Sequence, residues 1–185
     1  MAPATEHRFR EEPLPQAVVL DADFVVNVLH EGEEYHRDCL RFAVRLLRNN
    51  VSVVYTQLLR LEFLSGWQNA MRRRGVPSEL LQQKRLLENP AEDRRAMYEL
   101  GDEFFSDFLT LFNRYEVRLS AKLQRRARSY MAKYNLKPMD ACLIASAFQT
   151  EVLHVASLDK DFRRVDGVHL WNDHIPTRRL ARRQR

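Results

Sequence analysis

Short apolar runs, set apart by stretches with helical spacing, restrict this chain more than any other feature. Ala17-Val18-Val19-Leu20 is apolar at every position instead of every second one. A strand with one wet face alternates, so an unbroken run of this length reads as a buried strand of a parallel sheet. Val51–Tyr55 reads as a second strand, Tyr115–Leu119 as a third, His154–Leu158 as a fourth and Val168–Trp171 as a last short one. Between them the period changes. Phe24–Leu29 is a short helix, and Glu33–Leu47 carries Cys39, Leu40, Ala43, Val44, Leu46 and Leu47 at helical spacing, ending at Asn49-Asn50. After the second run, Thr56 is placed to cap a helix with Leu58, Leu59, Leu61, Phe63, Leu64 and Trp67 on its apolar positions. Ser120 opens a basic helix, and Pro138 fits the first turn of another. Strands alternating with helices define an α/β sandwich whose central sheet is mostly parallel.

One domain, 17–175, holds all of these elements. Residues 1–16, polar and carrying Pro3, Pro13 and Pro15, read as a disordered lead-in without the apolar core of a secretory signal. Residues 69–114 form a charged, largely helical elaboration with breaks at Gly75-Val76-Pro77 and Asn89-Pro90. The net charge of +5 has a local origin: Arg178, Arg179, Arg182, Arg183 and Arg185 make 176–185 a basic tail, and without those five the remaining 25 basic residues balance the 25 acidic ones. A polyanion is the natural partner of such a tail. Cys39 and Cys142 form no CxxC pair and read as reduced thiols of a cytoplasmic protein. No apolar run approaches the length of a membrane span, so no membrane partner is expected.

Four acids stand where this topology can gather them. Ligands of an open parallel sheet collect outside the carboxyl ends of its strands, where the strand order reverses. Asp21 and Asp159 directly follow apolar strand runs. Glu62 lies inside a helix among apolar neighbours, where a lone ionised carboxylate is costly. Asp140 sits in a first helical turn, where the helix dipole favours an anion. Four converging carboxylates raise one another's pKa unless a cation is present. Oxygen donors with no His or Cys cluster select Mg²⁺ or Mn²⁺ over zinc. A hard divalent ion in an acidic cleft suits hydrolysis of a phosphoester.

These residues resemble a known family. Asp21 after its strand, Glu62 in Leu58-Leu59-Arg60-Leu61-Glu62-Phe63-Leu64, Asp140 in Met139-Asp140-Ala141-Cys142-Leu143-Ile144-Ala145-Ser146-Ala147, and Ser157-Leu158-Asp159-Lys160-Asp161-Phe162 look like the PIN-domain nucleases, most of all the VapC-type toxin ribonucleases. The resemblance spans roughly residues 17–171. It implies a PIN-like three-layer sandwich and an endoribonuclease that uses Mg²⁺ or Mn²⁺ to hydrolyse RNA phosphodiester bonds. It further implies a homodimer and, for a toxin, a small antitoxin that blocks the site. Asp21, Glu62, Asp140 and Asp159 would be the acidic quartet, catalytic and metal-binding, with Asp23 and Asp161 as further candidate ligands. Asp23 departs from the Asn or small polar residue common there, and the 69–114 segment is longer than a compact toxin needs. Ser157 either orients a metal-bound water or simply ends a strand.

Arg72, Arg73 and Arg74, and separately Arg125, Arg126 and Arg128, are candidates for RNA phosphate contacts, which position nucleic acid without reading its sequence. His30 and His36 are six apart and cannot form the one-turn histidine pair of a zinc helix. Two other functions compete. Val18-Val19-Leu20-Asp21-Ala22-Asp23 is similar to the first motif of HAD-type phosphatases, with Asp21 as nucleophile, but Phe24-Val25 stand where Gly-Thr is wanted. A non-catalytic RNA- or protein-binding module on the same fold is the third possibility, and an intact quartet argues against it.

Overall fold

The structure is a computed structural model describing residues 3–77 and 94–173. Its elements are β1 (Thr5–His7), β2 (Ala17–Leu20), α1 (Ala22–Leu29), α2 (His36–Arg48), β3 (Ser52–Thr56) and α3 (Leu59–Arg74). Then come α4 (Arg94–Thr110), β4 (Arg114–Val117), α5 (Ala121–Tyr134), α6 (Pro138–Thr150), β5 (His154–Ala156), a 3₁₀ turn (Lys160–Arg164) and β6 (His169–Trp171). The strands form one sheet in the order β1-β6-β5-β2-β3-β4, and every pairing is parallel. Both of its faces are covered. Val18, Leu20 and Val53 point into a core shared with α1, α2, α3 and α4, while Val19, Val54 and Val155 point into a second core under α5 and α6. Adjacent residues of one strand serve opposite cores, which is why β2 has no polar position.

The order of the strands places the site. From β2 the chain moves outward to β3 and β4, then returns to the other side of β2 to lay down β5 and β6. The reversal falls between β2 and β5, and the gap beyond their carboxyl ends is the binding crevice of such a sheet. Gly66 narrows one wall of it. A Cβ there would stand 2.8 Å from Val26 Cγ2, so glycine lets α3 lie directly on α1.

Two expectations need correction. Residues 1–16 were expected to be a disordered lead-in, yet Thr5–His7 pairs in register with His169–Trp171 as an edge strand. Phe9 is only 3% exposed and stacks on Phe42 with ring centroids 4.5 Å apart. Edge strands need little hydrophobicity of their own, which is why this one is polar in sequence. Thr56 does not cap a helix either. It ends β3, and the ladder continues through the Gln57 N–H to the Val117 carbonyl (3.0 Å), so α3 opens only at Leu59. Glu62 therefore lies in the first turn of α3. The break expected at Asn89-Pro90 lies outside the described residues, as does the basic tail. Among the described residues, no helix is long and apolar enough to cross a membrane.

Candidate active site

Asp21 ends β2 and begins α1. Its backbone N–H stays in the sheet, bonded to the Ala156 carbonyl (3.1 Å), while its Oδ1 accepts from the Ala22 N–H (2.8 Å) as the helix N-cap. The other oxygen, Oδ2, accepts from the Ser157 hydroxyl at 2.5 Å. Ser157 is fully buried at the end of β5. Its Oγ accepts in turn from the Asp159 N–H (2.9 Å) and lies 3.3 Å from Asp23 Oδ1. Asp23, in the first turn of α1, also accepts from the Leu158 N–H (3.1 Å). One hydroxyl thus ties together the ends of the two strands that flank the reversal.

Asp21, Asp23, Glu62, Asp140 and Asp159 all line one open cleft of ≈ 410 Å³. Each reaches it by a different route: a strand end, a first turn, the start of α3, the start of α6 and the cap of the 3₁₀ turn. Asp159 Oδ1 accepts from the Asp161 N–H (2.8 Å), and Lys137 Nζ stands 4.0 Å from its Oδ2. Burial and like charge push Glu62, Asp140, Asp23 and Asp21 up together. Glu62 rises to about 7, first through burial and then through the charges of Asp21 and Asp140. Asp140 rises to about 6, through burial and then the charges of Asp21 and Asp159. Asp23 is held well above the ordinary carboxylate range by burial and then by Asp21, and burial raises Asp21 as well.

The donor set fits a hard divalent cation. Asp140 Oδ2 is buried and has no hydrogen-bond partner, an expensive state for a carboxylate oxygen unless a cation answers it. The acids are not drawn in around a common point: among the described residues, no three His, Cys, Asp or Glu side chains stand in ready-made ligand geometry. Like charges hold each other apart in this way, and a cation among them would reverse the sign of that interaction.

The remaining candidates divide. Arg73 lines the cleft, held by Glu33 at 3.2 Å, while Arg74 turns to the other oxygen of Glu33 at 3.8 Å. Arg72 is exposed on α3 away from the cleft lining. Arg125, Arg126 and Arg128 are exposed on α5, on the far side of the sheet from α1 and α3. Asp161 does not line the cleft; its carboxylate pairs with Arg164 at 2.7 Å. His30 is a core histidine, 1% exposed, facing the Gly75 carbonyl and the edge of Trp67. Glu33, Asn27, Ser65 and Asn69 also line the cleft and were not singled out from sequence. Asn27 had a readable signal, since it sits one helical turn from Asp23; its amide donates to the Asp23 carbonyl (2.9 Å) and accepts from the Tyr35 N–H. Ser65 and Asn69 had the same kind of signal, three and seven residues after Glu62 on α3, whereas Glu33 had none.

A parallel sheet with acids gathered at its central strand reversal defines an α/β domain whose candidate site lies where ligands of such sheets bind. The chain belongs to the PIN domain family, whose model matches residues 18–168. That membership sets aside the phosphatase reading of Asp21. Among solved structures, the chain is similar to Mycobacterium tuberculosis VapC20, described as a Sarcin-Ricin loop cleaving toxin. The TM-score is 0.51 and the identity 15%, over 78% of this chain and 92% of that one, a likeness of fold. None of the curated proteins matches the chain in sequence.

Proposed function

We propose that this chain is a Mg²⁺- or Mn²⁺-dependent endoribonuclease in which Asp21, Glu62, Asp140 and Asp159 hold the cation, and that it acts in the cytoplasm as the toxin of a toxin–antitoxin pair. The observation that carries the reading is the buried, unpartnered Oδ2 of Asp140 in a cleft shared with the carboxylates of Asp21, Glu62 and Asp159. RNA as the substrate class is supported by the structural neighbour, a toxin that cleaves the Sarcin-Ricin loop. The small antitoxin and the homodimer follow from the resemblance to VapC-type toxins.

A bound cation supplies charge stabilisation for the scissile phosphate and makes a water a better nucleophile. The chain's own residues do the rest. Ser157 fixes the oxygen of Asp21 and, through the Asp159 N–H, the turn that carries Asp159, so it is a positioning residue. Asp23, raised by burial and then by Asp21, joins the same network through the Ser157 hydroxyl and the Leu158 N–H. Glu62, raised to about 7 by burial and then by Asp21 and Asp140, takes up a proton near neutral pH only while no cation is bound; a bound cation would keep it ionised as a ligand. Arg73 is the guanidinium that lines the cleft and steers a backbone phosphate into it.

The test is cleavage of labelled single-stranded RNA with Mg²⁺ or Mn²⁺ and with EDTA, comparing wild type with Asp140→Asn. Metal-dependent cutting by wild type alone supports the reading. Equal cutting by both overturns it. If Mn²⁺ binds wild type but no RNA in a broad set is cut, the protein is a binding module on this fold.

A further inference from the structure

A second cavity, of ≈ 380 Å³, opens between the turn after β1, α2 and Asp173, two residues past β6. Four guanidinium groups line it, from Arg8, Arg10, Arg41 and Arg45, against two carboxylates, Asp38 and Asp173. The local fold explains the arrangement. Phe9 is driven into the core against Phe42 and Phe24, so its neighbours Arg8 and Arg10 are left at the surface in a turn closed by the Glu11 N–H on the Arg8 carbonyl (3.0 Å). Arg45 is spent on holding that turn down. It donates to the carbonyls of Phe9 and Glu11 and pairs with Glu12.

The other three are available to a ligand. Arg41 is 75% exposed and lies 3.5 Å from Asp38, a loose surface pair. Among the described residues, neither Arg8 nor Arg10 is tied into an ion pair or a side-chain hydrogen bond. Asp173 shares the cavity with them: burial raises its carboxyl, and the charges of Arg10 and Arg8 pull it back down. A planar guanidinium fork matches the oxygens of a phosphate, and three of them around one cavity match a phosphate chain better than a single small anion.

Position narrows the ligand further. Arg8 follows the carboxyl end of β1 and Asp173 that of β6, so the cavity opens on the same edge of the sheet as the acid cleft. β1 lies two strands from β5, or about 10 Å at the usual spacing of about 4.8 Å. The sequence then runs from Asp173 into Arg178, Arg179, Arg182, Arg183 and Arg185, which adds positive charge to this end of the chain.

We infer that this cavity is a second docking point for the RNA strand, where Arg8, Arg10 and Arg41 grip backbone phosphates a few nucleotides away from the bond placed at the acid cleft. The inference rests on the ribonuclease reading above. It assigns the N-terminal turn a role in substrate affinity, not in chemistry.

The experiment measures anisotropy of a labelled oligouridylate with the full chain in EDTA, between about 50 and 200 mM salt. It compares wild type, Arg8→Ala/Arg10→Ala, Arg8→Lys/Arg10→Lys and Asp140→Asn, with thermal melts to show that each is folded. The double alanine variant is expected to bind about tenfold more weakly, with a salt slope smaller by roughly 1 to 2. The double lysine variant should recover most of the slope, because it restores the charges. Asp140→Asn should keep the full slope. Unchanged affinity and slope in the double alanine variant overturn the inference, and so does failure of folded wild type to bind the probe. The nuclease reading is tested separately by Mg²⁺-dependent cleavage. If wild type cleaves while the double alanine variant binds normally, the cavity fails and the nuclease stands. If the double alanine variant loses affinity while wild type never cleaves, the nuclease fails and the phosphate site stands.

Discussion

Replacing Asp140 with Asn should make the metal-free protein more stable while removing its response to metal. Burial and neighbouring acids raise the Asp140 carboxyl from 3.8 to about 6. That difference corresponds to about 3 kcal/mol against folding once the group is ionised. Asp140 is only half-buried, so solvent screening reduces the figure to about 1–2 kcal/mol. The sign follows from the direction of the shift. Below the unfolded value of 3.8 the carboxyl is protonated in both states and there is no penalty. The penalty grows as pH rises from 3.8 to about 6, then stays constant. Asn has the shape without the charge, and its amide can donate to the acids around it. In EDTA at pH 7 the variant should therefore melt about 2–8 °C above wild type, given about 2–4 °C per kcal/mol for a domain of this size. Mg²⁺ at a hundredfold excess over its dissociation constant should add about 2.7 kcal/mol to wild type and far less to the variant. Differential scanning fluorimetry with and without Mg²⁺ reads both effects. A variant that melts at or below wild type in EDTA, and shifts as much with Mg²⁺, would refute the reasoning.

Ser157→Ala removes three interactions of one buried hydroxyl and should cost about 1–3 kcal/mol, because it leaves buried polar partners unsatisfied; kcat should fall while KM holds, and Ser157→Thr should recover part of the loss. Phe9→Ala should destabilise by about 3–4 kcal/mol in a urea titration, because Phe9 is a core residue, whereas a residue of a disordered lead-in would cost under about 0.5 kcal/mol. Mn²⁺ affinity, measured calorimetrically, should rise between pH 5.5 and 8 with release of protons, because Glu62 at about 7 and Asp140 at about 6 must both ionise to bind; affinity independent of pH would count against them as ligands.

The parts of this site that sequence exposed are those with a local cause. Asp21 and Asp159 follow unbroken apolar runs, and Pro138 announces the helix that carries Asp140, so topology alone sends all three to one edge. Ser157 could be named but not assigned, because whether its hydroxyl meets Asp21 depends on two strands 136 residues apart in sequence. Three failures share a physical origin. β1 is invisible because an edge strand draws its stability from pairing with β6 and from one anchoring ring, Phe9, set among charges. Glu33 reads as a solvated helix start, yet its side chain is only 9% exposed between Arg73 and Arg74, which come from α3. The Arg125 to Arg128 cluster looks as promising as Arg72 to Arg74 in sequence, but the fold puts the first on α5, across the sheet from the acids, and brings Arg73 of the second into the cleft. Charge runs carry no sign of which face they occupy.

The most direct test of the central claim is anomalous scattering from a crystal of the full chain soaked in Mn²⁺. The account predicts a Mn²⁺ peak in the cleft beyond β2 and β5, at about 2.1 Å from carboxylate oxygens that include Asp140 Oδ2. A well-ordered crystal with no peak there, or with Asp140 Oδ2 bonded to protein instead, would contradict it.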